Sequence, residues 1–282
     1  MKQVNFHNND IEVSVIMAVY NLEQRDILEL SIKSILNQTM ENIEFIICDD
    51  ASTDNTYSII KDLTKNDNRV KLLKSMVNRK AGGARNMCLQ YAQGKYIAIM
   101  DADDFSTRDR LEKQVKFLEE HQSFGFVGSK GGYFNKTIGD CIEKSYWFKT
   151  TPIKKDFLFS LPFVHASIMF RKEVLDKCQG YNSSILAQRA EDYDMLIRIY
   201  ELGYIGANIN EKLYYIREDT NTFKRRKYRF RFIEAIVKLR GFYQLGLMPI
   251  GFIYAMKPLL VGLIPLSILK KMSERYYKTK TR

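Results

Sequence analysis

Short apolar runs and amphipathic stretches alternate through the first hundred residues. VSVIMAV (13–19), IEFIICD (43–49), VKLLK (70–74) and YIAIMD (96–101) are rich in β-branched residues and apolar enough for buried strands. Between them, DILELSIKSILNQ sets Ile27, Leu28, Ile32, Ile35 and Leu36 on one stripe. STDNTYSIIKDLTK opens with cap-forming residues, and GGARNMCLQYAQG is closed by a glycine. Strand and helix in this rhythm predict a mostly parallel, doubly wound α/β sheet.

After Thr107 the pattern changes. A helix over RDRLEKQVKFLEEH is followed by two short extended pieces, FGFVGS and GGYFN. A loop and strand PFVHASIMFR, a helix AEDYDMLIRIYELG and a strand KLYYIRE come next. This mixed half is expected to cover the rim of the first. The division is 1–105 for one half, 106–222 for the other half of the same domain, and a helical tail over 223–282.

Ligands of a doubly wound sheet bind beyond the carboxyl ends of its strands. Tyr20 and Asn21 follow the first strand, Asp49 and Asp50 end the second, and Asp101, Asp103 and Asp104 crowd the end of the fourth. Such close like charges repel, so a positive partner is expected there. A hard cation, Mn²⁺ or Mg²⁺, suits two aspartates spaced i, i+2, because it binds through one or two carboxylates plus substrate phosphates. A calcium loop fits poorly: Phe105 cannot coordinate at the fifth position, and Ser106 stands where a turn glycine is needed. A D-x-D phosphatase normally carries its acids on the first strand, and a solvated acidic turn is the plainest alternative.

Four motifs in order narrow the choice. VSVIMAVYN, IEFIICDDASTDNT, AGGARN and YIAIMDADD resemble, over about Val13 to Tyr215, the family 2 glycosyltransferases of the GT-A fold, the bacterial surface-polysaccharide type among them. That family joins a sugar from a nucleotide-sugar to an acceptor hydroxyl. The resemblance implies that Ala18, Val19 and Tyr20 pack the base and ribose, although Ala18 stands where the family usually has proline. It implies that Asp50 accepts from the uracil N3–H of a UDP-sugar, and that Arg85 contacts the base or diphosphate. Asp101 would hold the ribose or a metal-bound water, and Asp103 would ligate the metal.

The segment AEDYDMLIRIYELG resembles the family's catalytic ED motif. Asp192 precedes Met195, Leu196 and Ile199 by three, four and seven residues, so it shares their inward face and can take a proton from the attacking hydroxyl. One base and one assisted leaving group imply a single inverting displacement. Glu191 and Asp194 read as first-turn acids answering the helix dipole, with Glu191 also on the acceptor or diphosphate side. His165 is either a satisfied structural group or a neighbour of the acceptor or diphosphate. Trp147 stacks on a sugar or is simply buried. The Q-x-x-R-W motif of processive synthases is absent, so one hexosyl or hexosaminyl unit per encounter is expected.

Charge is unevenly distributed. Phe223 to Arg282 holds 15 Lys/Arg against 2 Asp/Glu, while the rest of the chain holds 29 and 31. Charge alone would allow nucleic acid, but GLMPIGFIYAMKPLLVGLIPLSIL, interrupted by Pro249, Pro258, Pro265 and Lys257, argues for helices lying on a lipid surface instead. Phe232, Ile233, Ile236, Val237, Leu239 and Tyr243 precede it at helical spacing. The expectation is membrane contact and no nucleic acid, with a packing helix or a homo-oligomer contact as the alternative. The polar start MKQVNFHNND and four scattered cysteines without a C-x-x-C pair point to a reduced, cytoplasmic chain at the inner face of the cell membrane. The acceptor expected there is a glycan on a polyisoprenoid. A noncatalytic membrane-binding module is the remaining alternative.

Overall fold

The computed structural model describes residues 11–142, 148–218 and 228–264. The elements run β1 (Val13–Val19), α1 (Arg25–Leu36), β2 (Ile43–Asp49), α2 (Thr56–Thr64), β3 (Val70–Lys74), α3 (Lys80–Leu89), β4 (Tyr96–Asp101) and β5 (Phe105–Ser106). They continue with α4 (Arg110–Glu120), β6 (Phe124–Phe134), β7 (Cys141–Ile142), β8 (Met169–Arg171), α5 (Lys172–Cys178), α6 (Glu191–Glu201), β9 (Ile205–Arg217), α7 (Tyr228–Gln244) and α8 (Ile250–Gly262).

One sheet in the order β3-β2-β1-β4-β8-β6-β9-β5 carries both halves, with β7 added beside β6. β3, β2, β1 and β4 are parallel, and β8 pairs antiparallel with both β4 and β6. Alternation along the strands builds two cores. Val15, Met17, Phe45 and Ile47 face Leu28, Ile32 and Ile35 of α1 and Leu111 and Leu118 of α4. Ile16, Ile46, Ile97 and Ile99 face the other way, toward Ala84 and Cys88 of α3 and Met195, Leu196 and Ile199 of α6.

Three local expectations are revised and one helix is new. VKLLK is a half-exposed edge strand rather than a buried one, because β2 covers only one of its sides. FGFVGS and GGYFN form a single strand, β6, whose register slips against β9 at Ser129 to Gly131. KLYYIRE is the end of the longer β9. Helix α5, only seven residues long, was too short for periodicity to announce.

The basic tail is less separate than its composition suggests. Val237, Phe242, Leu245 and Leu247, with Ala255 of α8, belong to the main core. At Gly241 a Cβ would lie 2.3 Å from the Ile197 side chain, so α7 docks directly on α6. The opposite faces carry exposed Phe232, Ile236, Tyr243, Ile250, Phe252, Ile253, Leu260 and Leu263. Among the described residues no helix is long and apolar enough to cross a membrane. The tail segments 223–227 and 265–282, and Trp147, lie outside the described residues.

Candidate active site

Parallel register brings three strand ends to one rim. Ala18 of β1 stands opposite Cys48 on one side and Asp101 on the other, and the Asp50 N–H donates to the Val19 carbonyl at 2.8 Å. The loops after β1 and β2 are laced together: Asn21 N–H donates to Ser52 Oγ at 3.0 Å, Asn21 Oδ1 accepts from Thr53 N–H at 3.0 Å, and Leu22 N–H donates to Thr56 Oγ1 at 2.8 Å. These bonds fix the loop where Ala18 supplies no proline ring. Asp54 Oδ1 accepts from the Thr56 N–H at 3.0 Å and so starts α2 as a turn residue.

The cleft above this rim measures about 1440 Å³. Ala18, Val19, Tyr20, Asp50, Arg85 and Asp101 line it from one side, and His165, Glu191 and Asp192 from the other. Of the sequence-derived residues, Asp103 is exposed and lies off this lining, which Asp104 joins instead.

Asp50 is buried at 2% exposure, and its Oδ1 accepts from the Arg79 N–H at 2.7 Å. Burial raises its pKa against that bond. Arg85 donates from Nη2 to Asp101 Oδ1 at 2.6 Å and stacks 5.5 Å from the Tyr181 ring centre. Burial opposes its charge, but Asp101 and Tyr181 outweigh it and hold the proton more tightly than usual. Arg85 Nε has no partner among the described residues, nor does Glu191 Oε2. Both atoms are shielded from solvent, so neither opens onto the cleft, although other parts of Arg85 and Glu191 line it.

Much of the positive charge expected around the acids comes from the protein itself. Arg110, fully buried, donates to the Ile99 carbonyl at 2.8 Å and lies 5.0 Å from the Tyr214 ring centre. Burial lowers its pKa to about 10, which leaves it charged. The Tyr214 hydroxyl donates to Asp104 Oδ2 at 2.9 Å and accepts from the Asp101 N–H at 3.1 Å. Arg217 gives its N–H to Asp104 Oδ1 at 2.8 Å and its Nε–H to the Asp103 carbonyl at 2.9 Å. Asp104 is thus a pin between the acidic turn and β9. Burial, then Asp103 and Asp101, push its pKa well up.

A divalent ion would draw its protein ligand from the acidic turn. Arg85 takes one oxygen of Asp101, and Asp103 lies exposed two residues on. Among the described residues no cluster of three or more His, Cys, Asp or Glu is assembled for a metal. That donor set suits a hard cation whose remaining ligands are substrate phosphates and water.

On the facing wall, Asp192 occupies the first turn of α6. Burial first, and Glu191 second, raise its pKa to about 6, opposed by the Tyr193 N–H at 2.8 Å on Oδ1 and by Arg85. Asp194 stands in the first turn of α6 as expected, and it is also buried and paired with Arg198 at 2.7 Å. Arg198 also holds the Gly180 carbonyl at 2.7 Å, which anchors the turn leading to Tyr181.

His165 lies 3.0 Å from the Tyr181 hydroxyl through Nε2. Burial and then Arg85 lower its pKa to about 3, so it is neutral and serves to fix Tyr181. Sequence reasoning missed Tyr181, Tyr214, Arg110 and Arg217, because each enters by strand pairing or packing far along the chain. The Gly82–Gly83 pair was the available signal for the first. A Cβ on Gly82 would meet Tyr181 Cβ at 3.3 Å and Glu191 Cβ at 3.5 Å, so this helix start is a close approach between the two walls.

Comparison with known proteins identifies the family and the fold. Glycosyltransferase EpsE of Bacillus subtilis strain 168 is 37% identical over 96% of this chain and 95% of its own. The Escherichia coli UDP-Glc:alpha-D-GlcNAc-diphosphoundecaprenol beta-1,3-glucosyltransferase WfaP is 32% identical over 70% of this chain and 74% of its own. Staphylococcus aureus TarS 1–349, solved in complex with UDP-GlcNAc, shares the GT-A fold with a TM-score of 0.65 at 19% identity, covering 89% of this chain and 71% of that one. Residues 14–179 match the family described as glycosyl transferase family 2, and the chain belongs to that family.

Proposed function

We propose that this chain is an inverting, non-processive glycosyltransferase that moves one sugar from a UDP-sugar to a hydroxyl of a lipid-linked glycan. Family membership sets aside the D-x-D phosphatase and the noncatalytic module. The observation that carries the reading is a half-buried carboxylate, Asp192, raised to about 6 and set in one cleft with the Asp101–Arg85 pair. A base with that pKa is ionised at neutral pH yet still proton-avid.

In this reading residues 1–105 hold the donor and 106–222 the acceptor. Asp50 accepts from the base N3–H, Ala18, Val19 and Tyr20 pack the base and ribose, and Arg85, which lines the cleft, contacts the base or the diphosphate. Mn²⁺ or Mg²⁺, held by Asp103, would neutralise the departing diphosphate, with Asp101 on the ribose or a bound water. Asp192 takes the acceptor proton as the hydroxyl oxygen bonds to the anomeric carbon. The bond from that carbon to the donor phosphate oxygen breaks with its electron pair, so configuration inverts. Glu191 flanks this base and holds its pKa up.

WfaP, whose named acceptor is a diphosphoundecaprenol-linked sugar, supports the lipid-linked class. The exposed apolar faces of α7 and α8 support a seat on the membrane surface, on the cytoplasmic side. The test is nucleoside diphosphate release in a donor screen, together with calorimetry of UDP with and without Mn²⁺. Asp192→Asn should bind UDP normally and transfer about 10²–10⁴-fold more slowly. Normal turnover by that variant would remove the base assignment.

A further inference from the structure

The acceptor half of the cleft is more basic than a neutral glycan requires. Arg189, Arg229, Arg231, Lys238 and Lys257 all line it, from the turn before α6 and from α7 and α8. Arg231 and Lys238 share one acid, Glu234, at 3.2 and 3.0 Å. Arg189 and Arg229 are arranged differently. Their guanidiniums lie 5.3 and 4.6 Å from the centre of the same ring, that of Phe230, although they come from separate segments. Two permanent cations gathered on one ring repel each other, and guanidinium does not shed its proton to relieve this.

Two further features raise the local potential. Arg189 has φ 66°, a left-handed backbone that a non-glycine residue adopts at a cost, so the turn is held in place by its surroundings. The first turn of α7 contains no acid, and Arg229 and Arg231 sit there against the helix dipole. Both arginines are exposed, so solvent screens part of this repulsion and leaves their guanidiniums open to an anion. Beside it the lining turns apolar, with Phe159, Leu161, Pro258 and Val261. Phe159 is 57% exposed and meets the Tyr254 ring edge-on at 5.4 Å. The exposed apolar face of α8 continues outward from there.

We propose that Arg189, Arg229 and Lys257 form an acceptor-side subsite for a phosphate or diphosphate ester, with the attached lipid lying along Phe159, Leu161 and Val261. The inference rests on the reading of this wall as the acceptor side. It assigns the anion to the acceptor, not to the donor, whose base or diphosphate is met by Arg85 on the facing wall. Arginine suits the task because its planar fork pairs with two phosphate oxygens at once. The anchored diphosphate would hold the lipid-proximal end of the acceptor, leaving its sugar hydroxyl to reach Asp192.

The test is calorimetry of octyl diphosphate, below its micellar concentration and in metal-free buffer, with and without saturating UDP. Octyl glucoside serves as the uncharged control. The wild-type protein should bind the diphosphate in the presence of UDP and discriminate against the glucoside. Arg189→Gln and Arg229→Gln should each weaken diphosphate binding about tenfold or more, the loss expected for one charge-assisted hydrogen bond, with UDP affinity unchanged. Lys257→Gln, at an exposed position, provides the same readout should an arginine variant misfold. Asp192→Asn should bind octyl diphosphate as the wild type does, which separates this subsite from the base assignment. Competition by UDP would give the cations to the donor and overturn the proposal. Equal binding by all variants, or no binding by the wild type, would overturn it as well.

Discussion

Replacing Asp192 by Asn tests base chemistry and stability in one variant. In the folded protein the carboxyl is raised from its ordinary 3.8 to about 6, chiefly by burial. The sign follows from linkage: the folded state holds this proton more tightly than the unfolded chain does. Below about pH 4 both states are protonated and Asp192 carries no penalty. Between about pH 4 and 6 the unfolded chain ionises first and stability falls, and above pH 6 the full cost is present. At about 1.4 kcal/mol per pH unit the ceiling is about 3 kcal/mol. Solvent in the open cleft screens part of this, leaving about 1–3 kcal/mol. Asparagine keeps the shape and can still accept from the Tyr193 N–H, but it carries no charge. The variant should therefore unfold at a higher temperature at pH 7.5, by several degrees, and match the wild type at pH 4. Its transfer rate should be about 10²–10⁴-fold lower. Wild-type kcat/KM should fall as pH drops through about 6, and Glu191→Gln should move that limb to lower pH, because Glu191 helps to raise Asp192. Thermal melts at the two pH values and a pH–rate profile read these outcomes. A variant less stable than wild type at pH 7.5, or one with transfer intact, would refute the reasoning.

Other perturbations address other parts of the molecule. Asp103→Ala should abolish the gain in UDP affinity that Mn²⁺ provides while leaving metal-free binding unchanged in calorimetry. Tyr214→Phe removes the donor to Asp104 and the acceptor for the Asp101 N–H, and should cost about 1–3 kcal/mol in urea unfolding. Ile253→Glu with Leu260→Glu places charge on the exposed face of α8 and should lower sedimentation with anionic liposomes without changing the melting temperature. These surface changes are the appropriate membrane test, because truncation at Phe223 would strip Val237 and Phe242 from the core.

The donor half was legible because its information is local. Each strand there is a run of seven or fewer apolar residues whose polar end falls at the rim, where Ala18 stands beside Asp101. Asp192 was legible for the same reason: its spacing from Met195, Leu196 and Ile199 fixes its face, and all three are fully buried. The supporting residues were not. Tyr214 reaches the acidic turn only because β9 pairs with the two-residue β5, a contact across more than a hundred positions. Arg110 looked like an ordinary charge near a helix start, yet it is fully buried beneath the same turn. The tail misled through composition. Its basic excess pointed to a membrane-facing tail, whereas Val237 and Phe242 of α7 also pack into the core, beside a buried Lys238.

The arginines around the acidic turn also change what a metal would contribute. Arg85 already pairs with Asp101, Arg217 fastens the backbone of Asp103, and Tyr214 with the Arg217 N–H occupies both oxygens of Asp104. The turn is therefore held in place without an ion, and its geometry need not wait for one. An ion arriving with the donor would meet preorganised carboxylates and spend its binding energy on the phosphates. Asp103 is the most exposed acid of the three, outside the cleft lining that Asp101 and Asp104 share. Preorganisation by arginine and tyrosine explains how three acids can share four residues with one of them buried at 4% exposure. It also predicts which losses are structural and which are catalytic: removal of Tyr214 loosens the turn in the absence of any ligand, whereas removal of Asp103 is felt only when metal and nucleotide are present together.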